Sequence, residues 1–354
     1  MKDAHRMTRA DAVRTLSGAP MVHIAAATAD GLILRAMHGV VVGDLLTFHG
    51  GRTGEKNGLV DQPVAITAEE IVARIPSWMV DPVRACPATT WYRSVHVRGV
   101  LEEVLDPEIK AAALQGLMER FQPEGRHAPI RVDDAMYAKA IRSTRVLAVP
   151  LQDLVGKSKM GQEKRPVLVN KIVRGLWQRG DPGDLRAIEA IRLAHPGPIA
   201  FTDAPDGLIA RCAMGPGDAE EAARLVGDLY WNANFSTDQL IRSHQSSHWV
   251  GLQDGGVLVA TARAVSDVGK RSWIYDVGVA ADRRGTGLGR RLMEILLDHP
   301  AVRGTEVWLS TRDAMEFYRP LGFEVAHSYM AGTWPRHWMI RPSSIGIASV
   351  NSAA

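Results

Sequence analysis

The chain has 354 residues, of which 46% are hydrophobic and 23% charged, and a formal net charge of +3 at pH 7. It is too long for one typical domain and sets an expectation of two or three. It is too weakly basic to suggest a nucleic-acid partner, and no apolar run reaches membrane-spanning length. Two cysteines, Cys86 and Cys212, argue against a disulfide framework and fit a reducing cytoplasm. The opening run MKDAHRMTRADAVRTL carries charges but no apolar signal core, so a cytoplasmic protein is expected.

In chain order, residues 21–26, 32–42 and 45–49 read as successive strands separated by turns at Asp30-Gly31 and Gly43-Asp44, a meander pattern. The third runs into Phe48-His49-Gly50-Gly51-Arg52-Thr53-Gly54-Glu55-Lys56, whose glycines and cations suit a phosphate or another anion. Residues 89–103 read as a strand pair or one bent strand, and 146–150 as a last strand. Between them 107–121 is helical, with Ile109, Ala113, Leu114, Leu117 and Phe121 on one stripe. The polar, basic stretch 157–166 reads as a linker. Residues 167–193 regain helical character as a connector, and the Pro/Gly-rich run 196–207 closes it.

Two motifs in this half, Phe-His-Gly-x-x-x-Gly-x-Lys at 48–56 and Cys-x-x-x-x-x-Tyr-Arg-Ser-Val at 86–95, resemble the flavin-binding split β-barrels of the pyridoxamine 5′-phosphate oxidase superfamily, particularly those related to nitroimidazole resistance proteins. The resemblance implies an antiparallel split β-barrel over 1–156, mainly β with helices. It implies FMN as the cofactor, or haem or a deazaflavin as in some members, and a homodimer with the flavin between subunits. His49, Lys56, Tyr92, Arg93 and Ser94 would line the FMN site, with Lys56 nearest the phosphate; Arg35 either assists or is a solvated arginine on the barrel face. The Arg-Pro and Glu-Phe-Trp tail of true pyridoxamine phosphate oxidases has no counterpart, which argues against vitamin B6 oxidation. Cys86 reads as a small buried packing residue, the alternative being a redox-sensitive thiol beside the flavin.

In the C-terminal half, IYDVGVAADRRGTGLGR at 274–290 takes a β-rich run into a glycine- and arginine-rich turn that opens a helix. A helix start leaves its first N–H groups unpartnered and carries the positive end of the dipole, so its amides converge on an anion. Gly285, Gly287 and Gly289 allow close approach, Arg284, Arg290 and Arg291 add charge, and Leu288, Leu292, Ile295 and Leu296 give the helix an apolar face. A dinucleotide fingerprint fails at Arg290, and a P-loop lacks its Gly-Lys-Ser/Thr. Further on, 249–264, 306–310 and 337–340 read as strands and 313–321 as a helix.

Arg-x-x-Gly-x-Gly at Arg284, Gly287 and Gly289, followed by Ala-x-x-Phe-Tyr-x-x-x-Gly-Phe from Ala314 to Phe323, resembles the GCN5-related N-acetyltransferases (GNAT) over about 208–342. The resemblance implies an α/β GNAT fold with a mixed sheet over 208–345, after a linker and helical connector over 157–207 and before a flexible tail over 346–354. It implies acetyl-CoA as cosubstrate, with Val277, Gly278 and Val279 along the pantetheine arm and Arg284, Gly285, Thr286, Gly287, Leu288, Gly289 and Arg290 around the pyrophosphate. Tyr318 would protonate the departing sulfur; alternatively it is a core aromatic on the Ala314/Phe317/Leu321 helix face. Asp276 is the candidate general base, opposite Tyr275 and Val277 by strand alternation unless a bulge breaks the parity. The competing reading is a carboxylate satisfied by nearby arginines. Asp313 is expected to cap the following helix and Glu316 to lie on its surface.

The acceptor is expected to be a small-molecule amine, with Tyr230, Trp231, Asn232, Asn234 and Phe235 walling its pocket. His244 and His248, four apart, read as helix-surface histidines rather than metal ligands, so no metal is expected. The whole reads as an N-acetyltransferase fused to a flavin-binding barrel. The barrel is a second enzyme, a reductase or oxidase, or else a regulatory or dimerisation module.

Overall fold

The computed structural model describes residues 2–29, 31–51, 58–195 and 207–343. Asp30, the proposed phosphate residue Lys56, the 196–206 run and the 346–354 tail lie outside the described residues. The chain divides into two compact units, Met1–Arg74 with Thr89–Glu163 and Ile75–Ala88 with Lys164–Ala354. No helix among the described residues is long and apolar enough to cross a membrane.

The first unit opens with helix α1 (Arg9–Gly18), whose start is fixed by the Thr8 side chain accepting the Asp11 N–H. Strands β1 (Val22–Thr28), β2 (Gly31–Met37), β3 (Val40–Val42), β4 (Leu45–Gly50), β5 (Pro63–Ile75), β6 (Thr89–Val100) and β7 (Glu102–Glu103) follow. Helices α2 (Pro107–Phe121) and α3 (Ala135–Ser143) precede β8 (Arg145–Pro150) and β9 (Asp153–Lys159). These form a five-stranded sheet ordered β2-β1-β5-β6-β9 and a four-stranded sheet ordered β3-β4-β8-β7. The inward positions alternate along each strand, so Ile24, Ile66, Val95 and Val97 of the first sheet meet Leu46, Phe48, Leu147 and Val149 of the second in one core, with Leu16 of α1.

Several sequence expectations change here. Residues 32–42 are not one strand: the chain leaves the first sheet after Met37 and enters the second at Val40. Residues 89–103 are a bent strand serving both sheets, as β6 and β7. Residues 146–150 are not the last strand, because Lys157–Lys159, read as linker, pair with Tyr92–Ser94 as the end of β9. Strand β5 escaped notice because its alanines and glutamates are poor strand formers; burial of Val64, Ile66, Ala68, Ala73 and Ile75 overrides that propensity. Cys86 is exposed rather than packed, in the 75–88 segment that belongs to the second unit.

In the second unit, α4 (Pro166–Arg179) and α5 (Asp184–Ala194) come first. Strand β10 (Ile209–Arg211), helices α6 (Asp218–Gly227) and α7 (Thr237–Gln245), and strands β11 (His248–Asp254), β12 (Val257–Ser266) and β13 (Arg271–Val279) lead to α8 (Leu288–Leu297). Strand β14 (Glu306–Thr311), the single-turn α9 (Met315–Tyr318), β15 (Glu324–Ala331) and β16 (Trp334–Arg341) complete it. The seven-stranded sheet runs β10-β11-β12-β13-β14-β16-β15. It is mixed, since β13 and β14 are parallel while the other pairs are antiparallel. Leu292, Met293 and Leu296 of α8 pack on Val250, Ala262, Ile274 and Leu309.

Met79 of the 75–88 segment lies so close to α4 that a Cβ at Gly175 would meet its Cγ at 2.8 Å. Lys171 Nζ also donates to Val80 O at 2.9 Å. His299 packs edge-on to Trp177 and 5.3 Å from His248, and its Nδ1 accepts the Ala301 N–H. His244 is fully buried, not on a helix surface, with its ring bonded to Leu240 O.

Burial, and then the charges of His248 and Arg303, hold the His299 pKa down at about 3. An unfolded imidazole titrates near 6.5, so as pH falls the unfolded chain takes the proton first. The stability present above about 6.5 is therefore lost between there and about 3, at up to roughly 1.4 kcal/mol per pH unit. Replacing His299 with Phe, which keeps a ring beside Trp177, should flatten that part of the pH–stability curve measured by chemical denaturation.

Candidate active site

The site grows from an irregularity in β13. Its register with β12 shifts between Thr261 and Arg263, and Asp276 adopts φ 51°, a left-handed conformation that costs a non-glycine residue energy. The register with β12 shifts here, yet burial still alternates along the strand, with Ile274, Asp276 and Gly278 buried and Tyr275 and Val277 not. Its parallel neighbour β14 pairs only from Arg271–Glu306 to Trp273–Trp308. Beyond that point the two strands part, and the backbone edge of 274–279 that would face β14 has no strand partner.

A cleft of about 850 Å³ occupies this opening. Val277 and Val279 line one side, Leu309, Ser310 and Thr311 the other, with Phe317 and Tyr318 between. Asp276 lines it too, but its carboxylate is occupied. Oδ1 accepts from Trp231 Nε1 at 3.2 Å and Asn232 Nδ2 at 3.0 Å, and Oδ2 from Arg263 Nε at 2.6 Å. Arg263 also donates to Ser247 Oγ at 3.1 Å and lies 4.8 Å over the Tyr275 ring.

At one end the chain turns through Arg283 and Arg284 into α8. Gly285 and Gly287 have φ of 76° and 87°, with nothing within 4 Å of where a Cβ would stand, so the loop backbone lies open to a ligand. Gly287 is the N-cap, and the first amides of α8 follow it. Arg283 pairs with Asp254 at 2.5 Å and Arg284 Nε donates to Val279 O at 3.2 Å, which fixes the turn. Arg283, Arg284, Gly285, Gly287, Gly289 and Arg290 line the cleft. Of the other anticipated residues, Thr286 donates to Arg283 O within the loop, Leu288 is buried in the core, and Gly278 of β13 is packed against Val226.

Tyr318 ends a helix much shorter than expected, passing into a 3-10 turn at Arg319–Leu321. Tyr318 is buried, with Phe317 and Phe323 edge-on at 4.9 and 5.8 Å. It is Phe317, not Tyr318, that is the more exposed ring of the pair. Burial drives the phenol pKa far above its ordinary value, so it stays protonated. Asp313 does not cap the helix; it pairs with Arg312, while Thr311 Oγ1 takes the Ala314 N–H. Tyr230, Trp231, Asn232 and Phe235 line the other end of the cleft, together with Arg263, Trp273 and Arg336. Asn234 is not among the lining residues.

In the first unit the described flavin candidates are spread over both sheets, Tyr92, Arg93 and Ser94 on β6, His49 on β4 and Arg35 on β2. Arg35 is exposed on β2, separated from β6 by β1 and β5; three strand spacings amount to about 14 Å. His49 is exposed on the other sheet, Arg93 is paired with Glu70 at 2.9 Å, and Ser94 is buried. Tyr92 instead meets two cations that the sequence reading passed over. Lys157 Nζ donates to its hydroxyl at 2.8 Å and lies 5.3 Å from its ring, and Lys159 lies 6.0 Å from the ring and donates to Thr89 Oγ1.

Residues 217–323 match the family model described as acetyltransferase (GNAT) family, and residues 8–158 the one described as pyridoxamine 5′-phosphate oxidase. The N-alpha-acetyltransferase RimI of Mycobacterium tuberculosis (strain ATCC 25618 / H37Rv) is 35% identical over 112 residues, 29% of this chain and 68% of that protein. The chain belongs to the GNAT acetyltransferase family.

As a GNAT enzyme it is an N-acetyltransferase that draws on acetyl-CoA, joined to a pyridoxamine 5′-phosphate oxidase-like domain. Among solved structures it is similar to the ribosomal-protein-S18-alanine N-acetyltransferase from Escherichia coli, at 23% identity over 40% of this chain and 98% of that one, with a TM-score of 0.35. It is also similar to the FAD and haem binding protein from Mycobacterium smegmatis, at 22% identity over 44% of this chain and 72% of that one, with a TM-score of 0.37. The GNAT residues that sequence reading missed are Arg263, Trp273 and Arg336, which lie on strands adjoining the site, and Arg283, which stands inside the quoted loop.

Gly287→Val should strain the left-handed N-cap by about 1–2 kcal/mol. It should weaken acetyl-CoA binding roughly tenfold in calorimetric titration.

Proposed function

We propose that the second unit transfers acetyl from acetyl-CoA to a small amine, with Tyr318 as the general acid. The observation that carries this reading is a buried, protonated phenol lining the cleft where β13 and β14 part. Acetyl-CoA lies in that opening, its pyrophosphate on the loop from Arg284 to Arg290 and its pantetheine along the free edge of Val277–Val279. An amide of that edge takes the thioester carbonyl oxygen and stabilises the oxyanion. The neutral amine attacks the carbonyl carbon, a C–N bond forms, and the C–S bond breaks with its electron pair going to sulfur. Tyr318 gives that sulfur its proton. The burial that raises the phenol pKa also raises the proton affinity of a thiolate formed beside it. The amine sheds its own proton to water at the cleft mouth, and the phenolate is reprotonated from solvent.

In this reading Asp276 is a positioning residue. Both of its carboxylate oxygens are already engaged by an arginine, an indole and an amide, so its contacts hold β13 to the acceptor loop. Tyr318→Phe should lower kcat by about 10²–10⁴, with the KM for acetyl-CoA nearly unchanged. An unaltered kcat at saturating substrates removes Tyr318 from the reaction.

The first unit holds a flavin by its phosphate on Lys157, Lys159 and Tyr92, whose two ammonium groups and hydroxyl form a donor set suited to that anion. A bound flavin supplies electron transfer, which makes the barrel a reductase or oxidase beside the acetyltransferase. Arg35 and His49 reach that flavin from a second copy, in a homodimer built on the barrel in the cytoplasm. Support for a covered edge comes from β2, which ends its sheet with Leu32 and Leu34 exposed at 88% and 62%. Lys157→Ala combined with Lys159→Ala should strip flavin from the purified protein, read by its absorption spectrum, while acetyl transfer continues. Flavin retention by the double variant rules out this phosphate site, and a haem spectrum in the parent protein replaces flavin with haem.

A further inference from the structure

The acceptor end of the cleft holds an unbalanced charge. The guanidinium groups of Arg263 and Arg336 line that end with the carboxylates of Asp276 and Asp313, and that of Arg312 lies over the lining ring of Tyr230. Arg263 is matched by Asp276 at 2.6 Å and Arg312 by Asp313 at 3.3 Å. Arg312 is also sandwiched, 3.9 Å from the Tyr230 ring and 4.7 Å from that of Trp334. It therefore clasps the acceptor loop to the β15–β16 hairpin. Arg336 has no such match. It is half-buried and lines the cleft, and its guanidinium makes no hydrogen bond or ion pair with any described residue.

The β14–β16 ladder ends with Thr311 opposite His337, and Arg336 is the next residue of β16 beyond that pair. A partly desolvated guanidinium without an acceptor loses hydration for nothing. That cost disappears when an anion arrives. Tyr230, Trp231, Phe235 and Trp273 surround the remaining space with aromatic surface.

We infer that the acceptor amine carries a carboxylate, which Arg336 binds while an aromatic or aliphatic body packs on these rings. This rests on the acetyl-transfer reading above and narrows its substrate class to amino carboxylic acids. A planar guanidinium takes a carboxylate through two parallel hydrogen bonds. The same charge repels a second ammonium group, so polyamines are disfavoured. Arg336 sets specificity and takes no proton in the reaction.

The test uses the full-length protein, saturating acetyl-CoA, and acceptors of matched skeleton: phenylalanine against phenethylamine, and aminohexanoate against hexylamine and diaminohexane. Acetylated product is quantified by mass spectrometry. The amino carboxylates should exceed their carboxylate-free partners in kcat/KM by about tenfold to a hundredfold, the worth of a hydrogen bond to a charged group. Arg336→Gln should collapse that ratio mainly through KM, and Arg336→Lys should restore part of it. Carboxylate-free amines or the diamine turning over as well as the amino carboxylates, or a ratio unmoved in Arg336→Gln, overturns the carboxylate site and leaves small-amine acetylation standing. Failure to acetylate any of these amines by protein that binds acetyl-CoA overturns small-amine acetylation itself, and this inference with it.

Discussion

The buried carboxylate of Asp276 is the constraint on which the second unit turns. A residue in a left-handed conformation in mid-strand is strained, and it persists only where its surroundings compensate. Here the compensation is an arginine from the neighbouring strand and two donors from the loop after α6, all on one side chain. Removing one partner from such a buried set is costly because it strands the other. The bulge, the course of β13 past β14 and the position of the acceptor loop are therefore set by the same few contacts. A change at Asp276 would disturb all three together.

Along the cleft the chemistry changes by stages. The loop before α8 offers backbone amides and arginines, the middle combines Val277, Val279, Leu309 and Phe317 with the hydroxyl-bearing Ser310, Thr311 and Tyr318, and the far end is aromatic with guanidinium groups. This order matches a ligand that is anionic at one end and reactive at a desolvated centre. Tyr318 owes its high proton affinity to the rings beside it, so packing and acid–base character are one property at that position.

What was legible in the sequence was whatever a local constraint enforces. Glycines at positive φ and a helix start can be recognised from Gly285, Gly287 and the apolar spacing of Leu288, Leu292 and Leu296, because an anion site needs them adjacent in the chain. The Phe317-Tyr318 pair was legible for the same reason, though its helix was read too long. Relations that depend on register were hidden. Nothing in the residue type of Asp276 announces a bulge, and Arg336 reaches the cleft only because β16 pairs with β14. Lys157 and Lys159 looked like linker because a basic run has the same composition whether it is solvated or lies at a strand end beside Tyr92. Strand β5 was lost to its alanines and glutamates, whose burial depends on strands distant in sequence.

The excursion at 75–88 has a consequence for how this gene product is assembled. The polypeptide visits the second compact unit, returns to complete the first with β6 through β9, and only then commits to the second for good. No single scission can release two whole halves. A break at 163–164 would leave the acetyltransferase without Met79, which fills the space over Gly175 of α4, and would leave the barrel carrying a stretch with no partner of its own. Fusion here is interlacing along the sequence rather than concatenation, since the segment that precedes β6 belongs to the second unit.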